Sequence, residues 1–395
     1  MTERLYYEDS YLWAFDARVT SVKNGKRPGE WEVTLDRSAF YPTSGGQPFD
    51  TGTLSFGKVK AKVTNVEAGD GGEVIHTVDK EIPVGTPVRG EIDGARRTDH
   101  MEQHGGEHML AGAIWEKLGG TTIGLHLGQT ESSIDVAMPD ERTRLTDEEI
   151  QMLENTVNER IRLDAPIRCW FPEEEELKKL PLRKAPTVSE HVRIVAMGDF
   201  EIVVCGGTHP SSTGRIGMIK IVSAIPAKGK IRVSFVCGGR ALKLFQTYMR
   251  YGDKAGAALS CPVEKLSSAA AELKYRLAEA EKRANRLETR EILAKMEEAG
   301  EDVKGVTLCV PTLPETDGRA VTAAVSEYIG VKGRIVLLAA GERLTFARSA
   351  DVKTDMNELI KRVARGGGRP DMASGAGIPE CVNVAKKILM TEGIG

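Results

Sequence analysis

Apolar and polar side chains alternate with a period of two through residues 1–93, the pattern typical of half-buried β-strands. Turn-forming pairs such as Asn24-Gly25 separate the alternating stretches, and no long helical pattern interrupts them. The clearest stretches are 13–22, 31–35 and 59–66. We therefore predict that residues 1–93 form a small β-barrel domain.

Helical and extended patterns mix over residues 94–239, which predicts an α/β or α+β domain. Thr98 or Asp99 is placed to cap a helix that continues to Trp115. Thr146-Asp-Glu-Glu149 is a capping box that opens an amphipathic helix. Four apolar runs are predicted to be strands of one sheet: 192–197, 200–205, 217–222 and 231–236.

Residues 240–300 are predicted to be helical and to carry a coiled-coil seam of about three heptads, because apolar residues recur at alternating spacings of four and three. The seam consists of Leu266, Ala270, Leu273, Leu277, Ala280, Ala284 and Leu287. Its partner is either a second subunit or another helix of the same chain, and the pattern does not separate these alternatives.

Strand and helix patterns alternate again over residues 301–395, which predicts a C-terminal α/β domain. A glycine-rich stretch runs from Gly366 to Gly377 and includes Arg369. It is interpreted either as turns that hold phosphate groups beside an arginine or as a flexible loop that packs against the sheet. Together the four segments predict a multidomain α+β protein.

Composition adds limits on location and partners. The chain of 395 residues is 41% hydrophobic and 28% charged, as in a soluble globular protein, and its net charge is −3. It has no signal peptide and no apolar run near the ~18–20 residues that span a bilayer, so we expect a cytoplasmic protein without a membrane partner. A nucleic-acid partner would have to be bound by local basic patches.

Two histidine-containing segments stand out as a candidate metal site. His104 and His108 are four apart and would share one face of a helix, while Cys205 and His209 repeat the same spacing a hundred residues later. The chain has only seven histidines and six cysteines, and four of these thirteen residues lie in the two segments. Three imidazoles and one thiolate form a ligand set that suits Zn²⁺.

The first segment also matches a competing motif. His104-Gly-Gly-Glu107-His108 is a literal His-x-x-Glu-His, the signature of inverted zinc peptidases, in which Glu107 would act as the general base. Paired glycines within the helix, together with the separate Cys/His pair, argue against this interpretation.

A glycine-containing loop in the barrel region is a candidate binding site. It reads Phe40-Tyr-Pro-Thr43-Ser-Gly45-Gly46-Gln47-Pro-Phe-Asp-Thr-Gly. Consecutive glycines allow the backbone to approach a ligand closely, and Thr43 and Gln47 offer hydrogen-bonding groups beside them. On local grounds alone, an ordinary hairpin loop is the alternative.

These three motifs, in this order, resemble alanyl-tRNA editing proteins, the stand-alone relatives of the editing domain of alanyl-tRNA synthetase. The zinc-bearing part resembles the additional domain shared by threonyl- and alanyl-tRNA synthetases, and the glycine-rich C-terminal stretch is similar to the C-terminal domain of alanyl-tRNA synthetase. The resemblance implies a barrel over 1–93, a zinc-binding editing domain over 94–239, a helical linker over 240–300 and a synthetase-like domain over 301–395. No segment before the barrel could hold a class II aminoacylation site, so we expect that the chain does not charge tRNA.

The resemblance implies a trans-editing hydrolase that uses zinc to deacylate mischarged tRNA(Ala). Serine is the amino acid it is expected to remove, and glycine is the second candidate. For that chemistry Thr43 is the candidate contact to the seryl hydroxyl, with Gly45, Gly46 and Gln47 lining the same site. Glu107 and His100 are candidates for proton transfer, and the alternative is that either is structural. Four protein ligands make a closed metal site, so either one ligand gives way or the metal mainly positions the substrate. The resemblance also makes a homodimer through 263–290 and the C-terminal domain plausible. A non-catalytic tRNA-binding factor with a structural zinc is the alternative function.

Overall fold

The computed structural model of the protein describes residues 1–183 and 191–394. The chain divides into two compact units, Met1–Tyr251 and Gly252–Gly395. None of the helices in the described part of the chain combines the length and the apolar character that a bilayer crossing requires.

The N-terminal residues form the predicted barrel. In chain order its region contains β1 (Glu3–Arg4), β2 (Ala14–Asn24), β3 (Trp31–Leu35), β4 (Arg37–Ser38), β5 (Gly52–Phe56), β6 (Val59–Ala68), β7 (Val74–Val78) and β8 (Pro87–Ile92). Six of these strands close in the order β2-β3-β7-β6-β5-β8, and the short β1 and β4 pair separately. Along β2, Phe15, Ala17 and Val19 are buried and the residues between them are exposed. The two-residue period therefore correctly predicted both the strands and their inward faces.

Two sheets, rather than one, follow the barrel. The elements are α1 (Gly94–Leu118), β9 (Thr121–Leu127), β10 (Ser132–Ala137), α2 (Asp147–Arg162), β11 (Ile167–Trp170), α3 (Glu174–Leu177), β12 (Ile194–Met197), β13 (Glu201–Val204), β14 (Ile219–Ala227), β15 (Lys230–Cys237) and α4 (Gly238–Leu259). Among the described residues, one sheet has the order β14-β15-β10-β9 and the other β11-β12-β13. The prediction of a single sheet was wrong because each hairpin pairs with a different earlier strand, β10 or β11.

The helix ends were predicted with mixed success. Helix α2 begins as predicted, since the Thr146 hydroxyl accepts from Glu149 N at 3.2 Å and the Glu149 carboxylate accepts from Thr146 N at 2.9 Å. Helix α1 begins earlier than predicted, because Asp93 is its N-cap and accepts from Arg96 N. Thr98 and Asp99 therefore lie inside α1, and their prediction as caps was wrong.

The second unit is a sheet covered by helices on both faces. Its elements are α5 (Leu266–Glu298), β16 (Gly300–Val303), β17 (Val306–Cys309), β18 (Thr312–Leu313), α6 (Gly318–Tyr328), β19 (Arg334–Ala340), β20 (Arg343–Arg348), α7 (Met356–Val363), β21 (Arg365–Gly368), β22 (Met372–Ala376) and α8 (Glu380–Glu392). Within residues 252–394 the strand order is β16-β17-β19-β20-β22-β21, and β18 pairs with β19. The apolar run of β19 is buried on both faces, which fits a central strand.

The structure bears on two predicted features of this unit, the glycine-rich stretch and the coiled-coil seam. The glycine-rich stretch is not a flexible loop, because β21 and β22 pair Gly366 with Gly375 in an antiparallel hairpin at the sheet edge. Phosphate binding by its turn stays a prediction. The coiled-coil seam on α5 is solvent-exposed, with Leu273 53% and Leu277 58% accessible. The coiled coil therefore stays a prediction.

Candidate metal centre

The four predicted metal ligands meet at one point of the first unit. His104 and His108 lie one turn apart on α1, Cys205 follows β13 directly, and His209 lies four residues later in the same loop. One donor atom from each of the four residues lies within 4.8 Å of the others. The Cys205 Sγ is 3.5 Å from His104 Nε2 and 3.3 Å from His209 Nε2. The three histidines are buried, and the cysteine is half-buried.

Glycines allow the two segments to approach this closely. A Cβ on Gly105 would lie 2.9 Å from Ile216 Cγ1, so the bare helix backbone lets α1 pack against the short 3-10 helix Thr213–Ile216. A Cβ on Gly207 would collide with the imidazole of His104. Gly105 in the first segment and Gly207 in the second thus serve the packing around the cluster.

Two side chains orient the imidazoles from outside the cluster. Gln47 is fully buried, and its Oε1 accepts from His104 Nδ1 at 2.9 Å and from Thr208 N at 3.0 Å. Its amide nitrogen donates to Thr208 Oγ1 at 2.8 Å. On the other side, His108 Nδ1 lies 3.3 Å from a Glu107 carboxylate oxygen. Both contacts occupy Nδ1 and leave Nε2 for a metal, the arrangement common around metal-ligating histidines.

A buried arginine shapes the loop that carries the thiol. Arg193 is 4% exposed, and its Nη1 donates to the carbonyls of Cys205 at 3.0 Å and Gly207 at 2.8 Å. Gly207 N in turn donates to Cys205 Sγ at 3.3 Å. The loop is therefore held with its thiol toward the histidines and its carbonyls toward the guanidinium.

Burial sets the protonation states of the metal-free cluster. Burial, and then the neighbouring Arg193 charge, lower the pKa of His104 to about 3. Burial also lowers the pKa of His108 and of His209 well below the ordinary histidine value, and it raises the pKa of Cys205 to about 12. The imidazoles are thus neutral at pH 7, with lone pairs available as donors, and a bound cation would favour the thiolate.

The residues present fit a metal ion. His108 Nε2 is a buried polar atom with no hydrogen-bond partner in the described chain, as expected of a donor reserved for a cation. The other three donors surround the same space, and two of the imidazoles carry the orienting contacts given above. This His/Cys cluster could hold a metal ion.

The glycine-containing loop forms a tight turn next to the cluster. Ser44 and Gln47 pair as an antiparallel bridge, and Gly45 and Gly46 between them have φ of +58° and +88°. Positive φ at both central residues is typical of a type I′ hairpin turn, so the loop has hairpin geometry, and its role in binding stays a prediction. A Cβ on Gly46 would lie 2.9 Å from the carbonyl oxygen of Leu125 on β9, whereas Gly45 faces open space.

The remaining site candidates are distributed around this turn and along α1. Thr43 is exposed just before the turn, and its backbone N donates to Val66 O at 3.2 Å. His100 lies one turn before His104 on α1, is 3% exposed, and has its pKa lowered to about 4 by burial and by the charge of Arg96. The structure does not bring His100 into the group of four donors.

Sequence reasoning missed two residues that build the site, Thr208 and Arg193. Thr208 lies inside the Cys-Gly-Gly-Thr-His segment, where only the end residues have metal-ligand chemistry. Arg193 could have been found from the two consecutive predicted strands, since a hairpin pairing Ile194 with Val204 places Arg193 opposite Cys205.

Two family models match parts of the chain. The model described as tRNA synthetases class II (A) matches residues 2–96, which contain the barrel. The model described as the threonyl and alanyl tRNA synthetase second additional domain matches residues 192–234, which contain Cys205 and His209.

Similar proteins extend the match over nearly the whole chain. The alanyl-tRNA editing protein AlaX-L of Pyrococcus horikoshii is 30% identical over 401 residues, covering 95% of this chain and 94% of that protein. The alanine–tRNA ligases of Pyrococcus abyssi and Archaeoglobus fulgidus are 33% and 32% identical, again over 95% of this chain. The chain spans 42% of the length of each of these ligases.

Proposed function

The chain belongs to the family of alanyl-tRNA editing proteins, and on that premise we propose that it is a hydrolase that deacylates mischarged tRNA(Ala). Serine is the amino acid we expect to be removed, with glycine as the second candidate. The observation that carries the proposal is the cluster of His104, His108, Cys205 and His209, joined through Gln47 to the exposed glycine turn of the barrel.

Zinc is the metal we propose for this cluster, with His104, His108, Cys205 and His209 as its ligands. Three imidazole nitrogens and one thiolate form a common zinc ligand set, whereas magnesium and calcium prefer oxygen. Bound zinc supplies Lewis acidity toward an ester carbonyl and toward water. Because four protein donors complete a tetrahedral shell, we propose that the ion mainly holds its ligands and the surrounding pocket in the arrangement that positions the aminoacyl end.

The glycine turn is proposed to contact the amino acid that is removed. Thr43 is exposed beside the turn, and its hydroxyl can hydrogen-bond the hydroxyl of a seryl group, which alanine lacks. The backbone N–H groups of Gly45 and Gly46 are proposed to line the same pocket. Gln47 acts here through its hydrogen bond to His104 rather than through an open face, since its side chain is fully buried.

Proton transfer is assigned to His100 and Glu107 as candidates. Burial lowers the pKa of His100 to about 4, so its imidazole is neutral at pH 7 and is a weak base, and its candidacy rests on its place one turn before His104 on α1. The Glu107 carboxylate lies beside Nδ1 of His108, on the side away from the free Nε2. That position favours orientation of the ligand over the general-base role required by the inverted peptidase motif.

A deacylation assay with Ser-tRNA(Ala) tests the proposal. We expect about one zinc per purified chain, release of serine, and loss of both in Cys205→Ala. Cys381→Ala, which removes a thiol in the second unit, should retain metal and activity. Normal zinc content without release of serine would point instead to a tRNA-binding factor with a structural zinc. Hydrolysis of peptides that is lost in Glu107→Gln would support the peptidase.

A further inference from the structure

A fully buried ion pair fastens the loop of the glycine turn to α1. Asp50 and Arg97 are both 0% exposed. Arg97 Nε donates to the two Asp50 carboxylate oxygens at 3.0 Å each, and Nη2 donates to Oδ2 of the same carboxylate. The other guanidinium contacts are to the carbonyls of Ser10 at 2.9 Å and Ala39 at 2.6 Å. The guanidinium is thus committed to contacts within the protein on every side.

Asp50 also closes the loop on itself. Its carboxylate accepts from Tyr41 N at 2.6 Å, and its backbone N donates to Tyr41 O at 3.0 Å. The two ends of the loop 41–50 are therefore locked together at the carboxylate that Arg97 holds. Gln47 lies between these ends and accepts from His104, which is about two helical turns beyond Arg97 on α1. Helix α1 thus holds the same loop at both of these points, and Arg96 Nε also donates to Phe49 O at 3.0 Å.

We propose that Asp50 and Arg97 are a positioning pair for the metal centre. They fix the loop 41–50 relative to α1, so that Gln47 keeps the His104 imidazole turned with Nε2 toward the other three donors. The inference rests on the proposed function only in taking the four residues as metal ligands. A hydrogen bond to the far nitrogen of a ligating histidine raises metal affinity when its acceptor is itself held in place. A buried, fully hydrogen-bonded arginine–carboxylate pair is an anchor of that kind.

A double-mutant cycle on metal affinity separates this role from a general effect on folding. The affinity of the full-length chain for zinc, and its visible spectrum with cobalt(II), are measured for Asp50→Asn, Gln47→Ala and the double variant. We expect Asp50→Asn to weaken zinc binding about tenfold, the loss typical when a contact that orients a metal ligand is removed, and to change the cobalt spectrum. The double variant should bind zinc no more weakly than Gln47→Ala, because both changes act through one hydrogen bond.

Two further variants complete the design. Val78→Ala removes packing from the barrel core and should lower stability while leaving zinc affinity and the cobalt spectrum unchanged. If Asp50→Asn does not fold, Arg97→Lys takes its place in the cycle, since it keeps the charge and loses the bidentate contact.

The outcomes distinguish this inference from the function on which it rests. The positioning role alone would be overturned if Asp50→Asn bound zinc as tightly as wild type. It would also be overturned if the fold-losses of zinc affinity in the two single variants multiplied in the double variant. A wild-type chain that binds neither zinc nor cobalt would overturn the proposed metal centre, and the positioning role with it.

Discussion

Adjacent glycines in the type I′ turn should respond very differently to alanine. At Gly45, with φ of +58° and no atom within 4 Å of a new Cβ, the left-handed conformation costs alanine about 1–2 kcal/mol. The lower entropy of the unfolded alanine chain offsets about 0.4–1 kcal/mol of that. At Gly46 the same terms apply, but the Cβ also lies 2.9 Å from the Leu125 carbonyl oxygen, a backbone atom that cannot rotate away. Relief of that overlap adds about 1–3 kcal/mol.

We therefore expect Gly45→Ala to lose about 1 kcal/mol of unfolding free energy and Gly46→Ala to lose about 3 kcal/mol. Urea unfolding followed by tryptophan fluorescence measures the difference, because all four tryptophans lie in the unit Met1–Tyr251. Displacement of the turn should also weaken zinc binding in Gly46→Ala, through Gln47, while Gly45→Ala keeps wild-type affinity. Equal losses of stability for the two variants would refute the reasoning from the Leu125 contact.

Three further predictions follow from the site, the barrel and α5. Thr43→Val should keep zinc and lower the preference for Ser-tRNA(Ala) over Ala-tRNA(Ala) by at least about tenfold, since the seryl hydroxyl loses its partner. Thr64→Val on β6 is the control, and unchanged selectivity in Thr43→Val would contradict the role of Thr43 in binding serine. Burial lowers the pKa of His76 from 6.5 to about 4 in the folded protein. The stability that neutral His76 contributes is therefore complete above the unfolded pKa, and it decreases by about 3 kcal/mol as the pH falls toward the folded pKa. The difference in unfolding free energy between wild type and His76→Gln should therefore shrink from about pH 7 to about pH 4.5, and a constant difference would contradict the assignment. If the exposed seam on α5 forms a homodimer, Leu277→Lys should make the chain monomeric in light scattering, whereas a monomeric wild type excludes the dimer.

The capping box of α2 was predicted correctly from the sequence, whereas the start of α1 and the assignment of strands to sheets were not. The capping box at Thr146 was correct because both of its hydrogen bonds join residues three apart. The predicted start of α1 was wrong because Asp93, Thr98 and Asp99 are all suitable caps by residue type, and it is Asp93 that accepts from Arg96 N. The choice of sheet for β12 and β15 depends on β11 and β10, whose pairing no local pattern encodes.

The candidate site shows the same division. The four donors were found because histidine and cysteine are rare and their spacing has chemical meaning. The contact of Gln47 with His104 and the pairing of Asp50 with Arg97 could not be found in this way. They join residues 57 and 47 positions apart, and nothing in either stretch specifies the partner.

The wide separation of these contacts in sequence has a consequence for the order of events during synthesis. His104 meets Cys205 across 101 residues, and Gln47 meets Thr208 across 161, so the centre is among the last features of the first unit to form. When α1 but not β13 has emerged from the ribosome, the nascent chain presents two histidines without the thiol, which is a weak two-donor metal site. Tight metal capture then coincides with docking of the Cys205–His209 loop, and a ribosome-bound barrel with α1 alone should be recovered essentially metal-free.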